Sequence, residues 1–93
     1  MIEVTGNRMQ VVGPMVIASA TALKADGESA LAAGASIIDL SGVTDADSAA
    51  VAVLLAWTRG AQERQQTVCI VHPPESVRSL ATLYGVVELL PLA

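Results

Sequence analysis

An apolar strand pattern followed by a long helical pattern is the feature that most restricts how this chain folds. Ser36–Ser41, with the sequence SIIDLS, predicts a buried strand. The segment from Asp47 to about Arg64 has helical periodicity and ends in a polar tail. Because strands that alternate with helices form sheets with parallel crossover connections, we expect an α/β layer fold.

The rest of the chain continues this alternation of strands and helices. Gly6-Asn7 is a turn pair between two β-prone stretches and predicts an N-terminal hairpin. The predicted strands are Ile2–Thr5, Arg8–Val12, Ser36–Ser41 and Thr67–Val71, and the predicted helices run from about Val16 to Ala33, Asp47 to Arg64, and Glu75 or Ser76 to Gly85. The order predicts one α/β domain over residues 1–93, with a small mixed β-sheet flanked by helices.

Glycine and proline set the expected boundaries of these elements. Gly13-Pro14 is predicted to stop the second strand, and Gly42–Ala46 is predicted to be a loop. Gly27 lies inside the first helix, where glycine weakens helical structure, so two helical pieces meeting near that residue are expected. Val86–Leu90 is expected to form a short strand or a packed tail.

Composition excludes several classes of protein. Hydrophobic residues make up 53% and charged residues 15%, which excludes intrinsic disorder. Nine acidic against five basic residues give a net charge of −4, and Trp57 and Tyr84 are the only aromatics, so nucleic acid is not an expected partner. The longest apolar run, Ala49–Trp57, has nine residues, whereas a membrane-spanning helix needs about 20, so no direct membrane insertion is expected.

No pattern for catalysis or cofactor binding stands out. The sequence lacks a glycine-rich phosphate loop, and no nucleophile-elbow pattern surrounds its serines. Asp39, Asp45 and Asp47 could be drawn as a metal cluster, but loop and helix-cap roles explain them better. We therefore expect no enzyme activity, no cofactor and no metal.

The pair Asp47-Ser48 lies where the long helix begins. The first N–H groups of a helix have no partner within the helix, and its dipole favours negative charge there. A hydroxyl at this position is therefore suited either to contact a partner or to accept a phosphate, which the N–H groups could then bind. The simpler alternative is that Asp47 and Ser48 only cap the helix.

The long helix carries more apolar surface than a one-sided amphipathic helix needs. Its two apolar stripes consist of Val51, Leu54, Leu55 and Thr58, and of Ala50, Val53, Trp57 and Ala61. One stripe must be covered by a neighbouring helix or by another chain. Trp57 is thus either an anchor for a partner, a common role of Trp at interfaces, or a core residue under a helix of its own domain.

The sequence resembles the STAS domains, which include anti-sigma factor antagonists and the small cytoplasmic STAS subunit of Mla-type phospholipid ABC transporters. The resemblance rests on Ile37–Val43 (IIDLSGV), on Asp47-Ser48 and on the apolar helix Val51–Trp57. The Asp-Ser/Thr pair at this junction is the characteristic site of the family and corresponds to Asp47 and Ser48. The C-terminal stretch Leu80–Val86 and the late Leu90-Pro91 resemble the transporter subunit more than the sigma-pathway proteins.

The resemblance implies a binding function. It predicts an accessory subunit that binds and supports the ATPase of a phospholipid-transport complex maintaining outer-membrane lipid asymmetry, in the cytoplasm at the inner face of the inner membrane. The predicted partner-binding residues are Asp47, Ser48, Val51 and Trp57. The alternative is an anti-sigma factor antagonist with Ser48 as phosphoacceptor. Self-association as a homodimer is conceivable when the chain is isolated, because helix surface is apolar.

Overall fold

A computed structural model describes all 93 residues, and its four strands form one mixed sheet in chain order. The strands are β1 (Ile2–Thr5), β2 (Arg8–Met15), β3 (Ile37–Ala46) and β4 (Cys69–Val71). The helices are α1 (Ala20–Ala32), α2 (Ser48–Glu63) and α3 (Glu75–Leu83), and Val87–Leu89 form a short 3-10 helix. β1 is antiparallel to β2, whereas β2, β3 and β4 are parallel to one another. The predicted α/β fold with its N-terminal hairpin is confirmed.

The core lies between the sheet and the three helices. Alternate strand residues are completely buried and point towards the helices, as period-two alternation requires; they are Met9, Val11, Ile38, Leu40 and Ile70. Residues from all three helices join them in one hydrophobic cluster. After the 3-10 helix, the chain end packs beside β4, where Ile70 forms a parallel bridge with Leu92. The core is therefore aliphatic, with Trp57 as its one large aromatic side chain.

β2 and β3 are both longer than the sequence predicted. β2 continues through Gly13-Pro14, and β3 continues through the residues 42–46 that were predicted to form a loop. Two register shifts between these strands accommodate the irregular residues. Gly42 lies at the first shift, where an added Cβ would stand 2.7 Å from the Val11 carbonyl oxygen. This glycine therefore permits a close approach of two strands and does not form a turn.

The prediction that the first helix is divided at Gly27 is also wrong. α1 is continuous over Ala20–Ala32, and Gly27 is buried within it. A Cβ at this position would overlap the Trp57 ring, so glycine makes room for the indole. The indole Nε1 also donates a hydrogen bond to the Lys24 carbonyl oxygen at 3.1 Å. Gly27 thus marks the contact of α1 with α2.

We predict that Gly27→Ala destabilises the fold by about 1–3 kcal/mol, because the new methyl group would force the Trp57 ring or α1 to move. The matched control is Gly60→Ala in α2. Its Cβ would meet only the guanidinium end of Arg64, at 3.3 Å, and that flexible side chain can move. There alanine should be neutral or stabilising by up to about 1 kcal/mol. Urea unfolding measures both changes, and equal stabilities would contradict the close contact.

Candidate partner-binding site

The candidate site lies where β2 and β3 end and two helices begin. The turn after β2 leads into α1, and the residue after β3 leads into α2. The two connections are joined, because the Asp47 backbone N–H donates to the Met15 carbonyl oxygen at 3.3 Å. The carboxyl ends of parallel strands commonly carry binding sites in α/β folds, since helix N-termini and loops meet there.

Asp47 holds this junction together through both carboxylate oxygens. Oδ1 accepts a hydrogen bond from the Ala49 backbone N–H at 2.8 Å, which makes Asp47 the N-cap of α2. Oδ2 accepts one from the Ile17 backbone N–H at 3.1 Å, in the turn before α1. The expected cap role is therefore present, and Asp47 also fixes the neighbouring turn.

The turn before α1 is held from its other side by Ser19. The Ser19 hydroxyl donates to the Pro14 carbonyl oxygen at 2.8 Å and accepts from the Val16 backbone N–H at 3.1 Å. These bonds leave the Ile17 side chain pointing outward, with 80% of its surface exposed. An isoleucine this exposed on a well-bonded turn is an apolar contact point, and the sequence analysis had assigned it to the first helix.

Ser48 is the first residue of α2 and is exposed. Of the Asp-Ser pair, Asp47 supplies the capping carboxylate, so the Ser48 hydroxyl is not needed for the cap. Ser48 directly follows Asp47, whose carboxylate accepts the hydrogen bond from the Ile17 backbone N–H. The structure thus presents a free hydroxyl at a helix N-terminus, beside an exposed apolar residue.

A groove between α1 and α2 continues from this point. We call it the α1–α2 groove; it is lined by Ala20, Thr21, Lys24, Ala49, Ala52, Val53, Leu55, Ala56 and Arg59. Ala52 and Arg59 follow Ser48 by four and eleven residues, so the three lie on one face of α2. The groove extends the surface around Ser48 along both helices. The sequence did not predict this groove, because the periodicity of α2 does not show which residues of α1 pack beside it.

Two of the four predicted partner-binding residues are not on the surface. Val51 is 4% exposed and Trp57 is fully buried, so neither side chain faces a partner. Seven of the eight residues in the two apolar stripes of α2 are buried within the domain, and α1 covers Trp57; Leu55 is half-buried and lines the groove. Of the two alternatives for Trp57, packing under a helix of its own domain is therefore correct. Asp47 and Ser48 remain as the predicted residues at the surface junction.

The three aspartates are dispersed and each bonds to its own neighbours. Asp45 accepts a hydrogen bond from the Ala46 backbone N–H at 2.9 Å, and Asp47 serves the junction described above. Asp39 points away from the helices, is 6% exposed, and accepts bonds from Arg8 Nη1 at 2.6 Å and from the Ser41 N–H at 2.9 Å. No three His, Cys, Asp or Glu side chains of the chain come together as metal ligands.

The surroundings of Asp39 determine its pKa. Burial alone raises the pKa of its carboxyl, but the hydrogen bonds from Ser41 and Arg8, together with the Arg8 charge, outweigh burial. The pKa of Asp39 therefore lies below its ordinary value of 3.8. A lowered pKa means that ionised Asp39 stabilises the fold above pH 3.8 and that this contribution is lost as pH falls through the lowered pKa.

Comparison with known proteins identifies the family. A family model described as "Mlab, STAS domain" matches residues 2–91, and the chain belongs to the STAS domain family. No curated protein matches the sequence. None of the helices has the length and apolar character needed to cross a bilayer.

Solved structures of similar fold include an anti-sigma factor antagonist and a protein provisionally assigned as one. SpoIIAA in its unphosphorylated form is 16% identical, with a TM-score of 0.65 over 89% of this chain and 81% of that one. Phosphorylated SpoIIAA, a Bacillus cell fate determinant, is 16% identical, with a TM-score of 0.68 over 100% and 89%. A Thermotoga maritima protein provisionally assigned as an anti-sigma factor antagonist is 18% identical, with a TM-score of 0.75 over 99% and 83%. At such identities the likeness establishes the fold alone.

We predict that Asp47→Ala lowers the free energy of unfolding by about 0.5–2 kcal/mol, the usual cost of losing an N-cap. Amide exchange at Ile17 and Ala49 should accelerate, because both N–H groups lose their acceptor. Ser48→Ala is the control and should change stability by less than about 0.5 kcal/mol. Urea unfolding and hydrogen exchange by NMR provide the measurements. Unchanged exchange at Ile17 in Asp47→Ala would contradict the assigned bond.

We also predict that Asp39→Asn costs about 1.5–3 kcal/mol at pH 7, because hydrogen bonds to a charged group are lost. The difference from the wild type should narrow as pH falls below 3.8, because Asp39 then binds a proton in the unfolded chain, and it should vanish below the lowered pKa of the folded state. Asp45→Asn, at an exposed position, is the control and should have little effect. Unfolding free energies measured between pH 7 and pH 3 check this, and a cost independent of pH would refute it.

Proposed function

We propose that this chain is a non-enzymatic accessory subunit that binds the ATPase of a bacterial phospholipid-transport ABC complex and supports its assembly and activity. In this role it contributes to outer-membrane lipid asymmetry from the cytoplasm, held at the inner face of the inner membrane by its partner. The observation that carries the proposal is the exposed Ser48 hydroxyl beside the exposed Ile17 side chain. The match to a family model described by the name Mlab supports this choice of complex.

The geometry of the junction supports a docking role. Asp47 fixes the turn that carries Ile17 to the start of α2, and Ser19 fixes the same turn to the end of β2. A contact surface that is ordered before binding loses less conformational entropy when the partner arrives. We infer that Ser48, Ile17 and the α1–α2 groove form one docking face for the ATPase.

A second candidate function is anti-sigma factor antagonism controlled by phosphorylation. The likeness to SpoIIAA, solved in phosphorylated and unphosphorylated forms, favours it. So does the position of Ser48, since helix N-termini stabilise negative charge. In this case the partner is an anti-sigma kinase, and a phosphate on Ser48 would add roughly two negative charges at the docking face.

We predict that Ser48→Glu weakens binding to the ATPase by about tenfold or more, because a charge replaces a hydroxyl within the contact and must be desolvated there. Ser48→Ala should weaken binding less, since it removes only a hydrogen bond. The matched control is Ser76→Glu, which places the same charge on an exposed serine in the first turn of α3. Affinity for the purified ATPase subunit provides the measurement, and outer-membrane integrity of cells is the second readout.

The outcomes separate the two candidate functions. If neither Ser48 variant changes affinity or membrane integrity, Ser48 lies outside the contact. If intact mass after incubation with a cognate serine kinase increases by one phosphate, and the phosphate maps to Ser48, the antagonist function is favoured.

A further inference from the structure

The α1–α2 groove contains two of the five basic residues of this acidic chain. Lys24 and Arg59 line its two walls, and both are exposed. Neither is engaged with a carboxylate of the chain, because Arg8–Asp39 is the single ion pair in the structure. With nine acidic residues and a net charge of −4, positive charge is scarce, and two of the five basic side chains lie at this one groove.

Between these cations the groove is lined mainly by apolar side chains. Four of its nine lining residues are alanines, namely Ala20, Ala49, Ala52 and Ala56, and Val53 and Leu55 add further apolar surface. Small side chains allow another backbone to approach closely. Arg59 lies eleven residues after Ser48 on α2, so at 1.5 Å per residue the groove extends about 16 Å from the hydroxyl. That length matches about three turns of a helix from another chain.

We propose that the α1–α2 groove receives an apolar segment of the ATPase partner whose Asp or Glu side chains pair with Lys24 and Arg59. This inference rests on the proposed function and specifies the chemistry of the partner. Charge complementarity is the argument for this occupant: the net charge of −4 disfavours an acidic segment in general, whereas two unpaired cations in one groove attract it. These two cations therefore orient an acidic segment along the groove. The alanines supply the apolar contact.

A carbodiimide cross-linking experiment tests the contact directly. The reagent joins a carboxylate to an adjacent amine through an amide bond, and Lys24 is the only lysine of the chain. In the complex co-purified with the ATPase subunit of the same organism, we expect a cross-link from Lys24 to an Asp or Glu of the ATPase. Lys24→Arg keeps the charge and removes the amine, so this variant should bind normally and lose that cross-link.

Charge reversal tests the energetics of the same contact. Lys24→Glu and Arg59→Glu should each weaken ATPase binding by about tenfold or more. Arg78→Glu makes the same charge change at an exposed residue of α3 outside the groove. This variant should keep an affinity for the ATPase within about twofold of the wild type. Unfolding curves that match the wild type establish that the exposed substitutions leave the fold intact. Reversal of an identified ATPase carboxylate to Lys should restore binding to the matching Glu variant.

The possible failures are distinguishable. If the wild-type chain does not form a complex with the ATPase, the proposed function is wrong and this inference falls with it. If the complex forms but both reversed variants bind as the wild type does, or Lys24 links to no ATPase carboxylate, only the inference is overturned. It is likewise overturned if the chain alone binds phosphatidylglycerol vesicles through Lys24 and Arg59, since the groove would then serve a lipid surface.

Discussion

The contact between the Trp57 ring and Gly27 sets the geometry on which the docking face depends. The indole occupies the space that any side chain at position 27 would need, and its Nε1 bonds to the Lys24 carbonyl oxygen. The two helices are thereby held at a fixed separation and rotation, because both ring packing and a directional bond must be satisfied. Lys24 belongs to that contact through its backbone and to the groove through its side chain. The buried Trp57 side chain thus determines the relative position of the two walls of the α1–α2 groove without itself contacting a partner.

Asp47 and Ser48 divide two tasks that sequence reasoning had assigned to them jointly. Both oxygens of the Asp47 carboxylate are engaged, one in capping α2 and one in holding the Ile17 turn. Because the cap is supplied by Asp47, the Ser48 hydroxyl is free for another molecule. The cap alternative and the contact alternative are therefore compatible, since they concern adjacent residues. A substitution at one position is expected to act on stability and at the other on binding.

Local sequence patterns predicted the strands and α-helices of this fold. The predictions failed where the structure depends on contacts between residues that are distant in sequence. Period-two and helical periodicity located the four strands and the three α-helices, and the cap pattern located Asp47, because each signal is contained in a few consecutive residues. The 3-10 helix Val87–Leu89 was not predicted, since a short strand or a packed tail was expected there. Glycine at positions 27 and 42 predicts breaks in a helix and a strand, whereas each glycine makes room for a group distant in sequence: the Trp57 ring and the Val11 carbonyl oxygen. The periodicity of α2 could not show whether Trp57 is buried or contacts a partner, since this depends on where α1 packs. The groove and its cations could not be predicted for the same reason.

The electrostatics of the docking face explain how one fold suits either candidate function. A phosphate on Ser48 would stand beside the Asp47 carboxylate and about 16 Å from Arg59 along α2. That separation exceeds the Debye length of about 8 Å at physiological ionic strength, so Arg59 would not neutralise it. Negative charge at Ser48 therefore acts on whatever segment lies over the helix N-terminus, while Lys24 and Arg59 act on the segment further along. Charge at Ser48 and charge at Arg59 therefore act on a bound partner largely independently. Regulation at the hydroxyl and recognition at the cations can then coexist or be used separately, depending on the partner that binds.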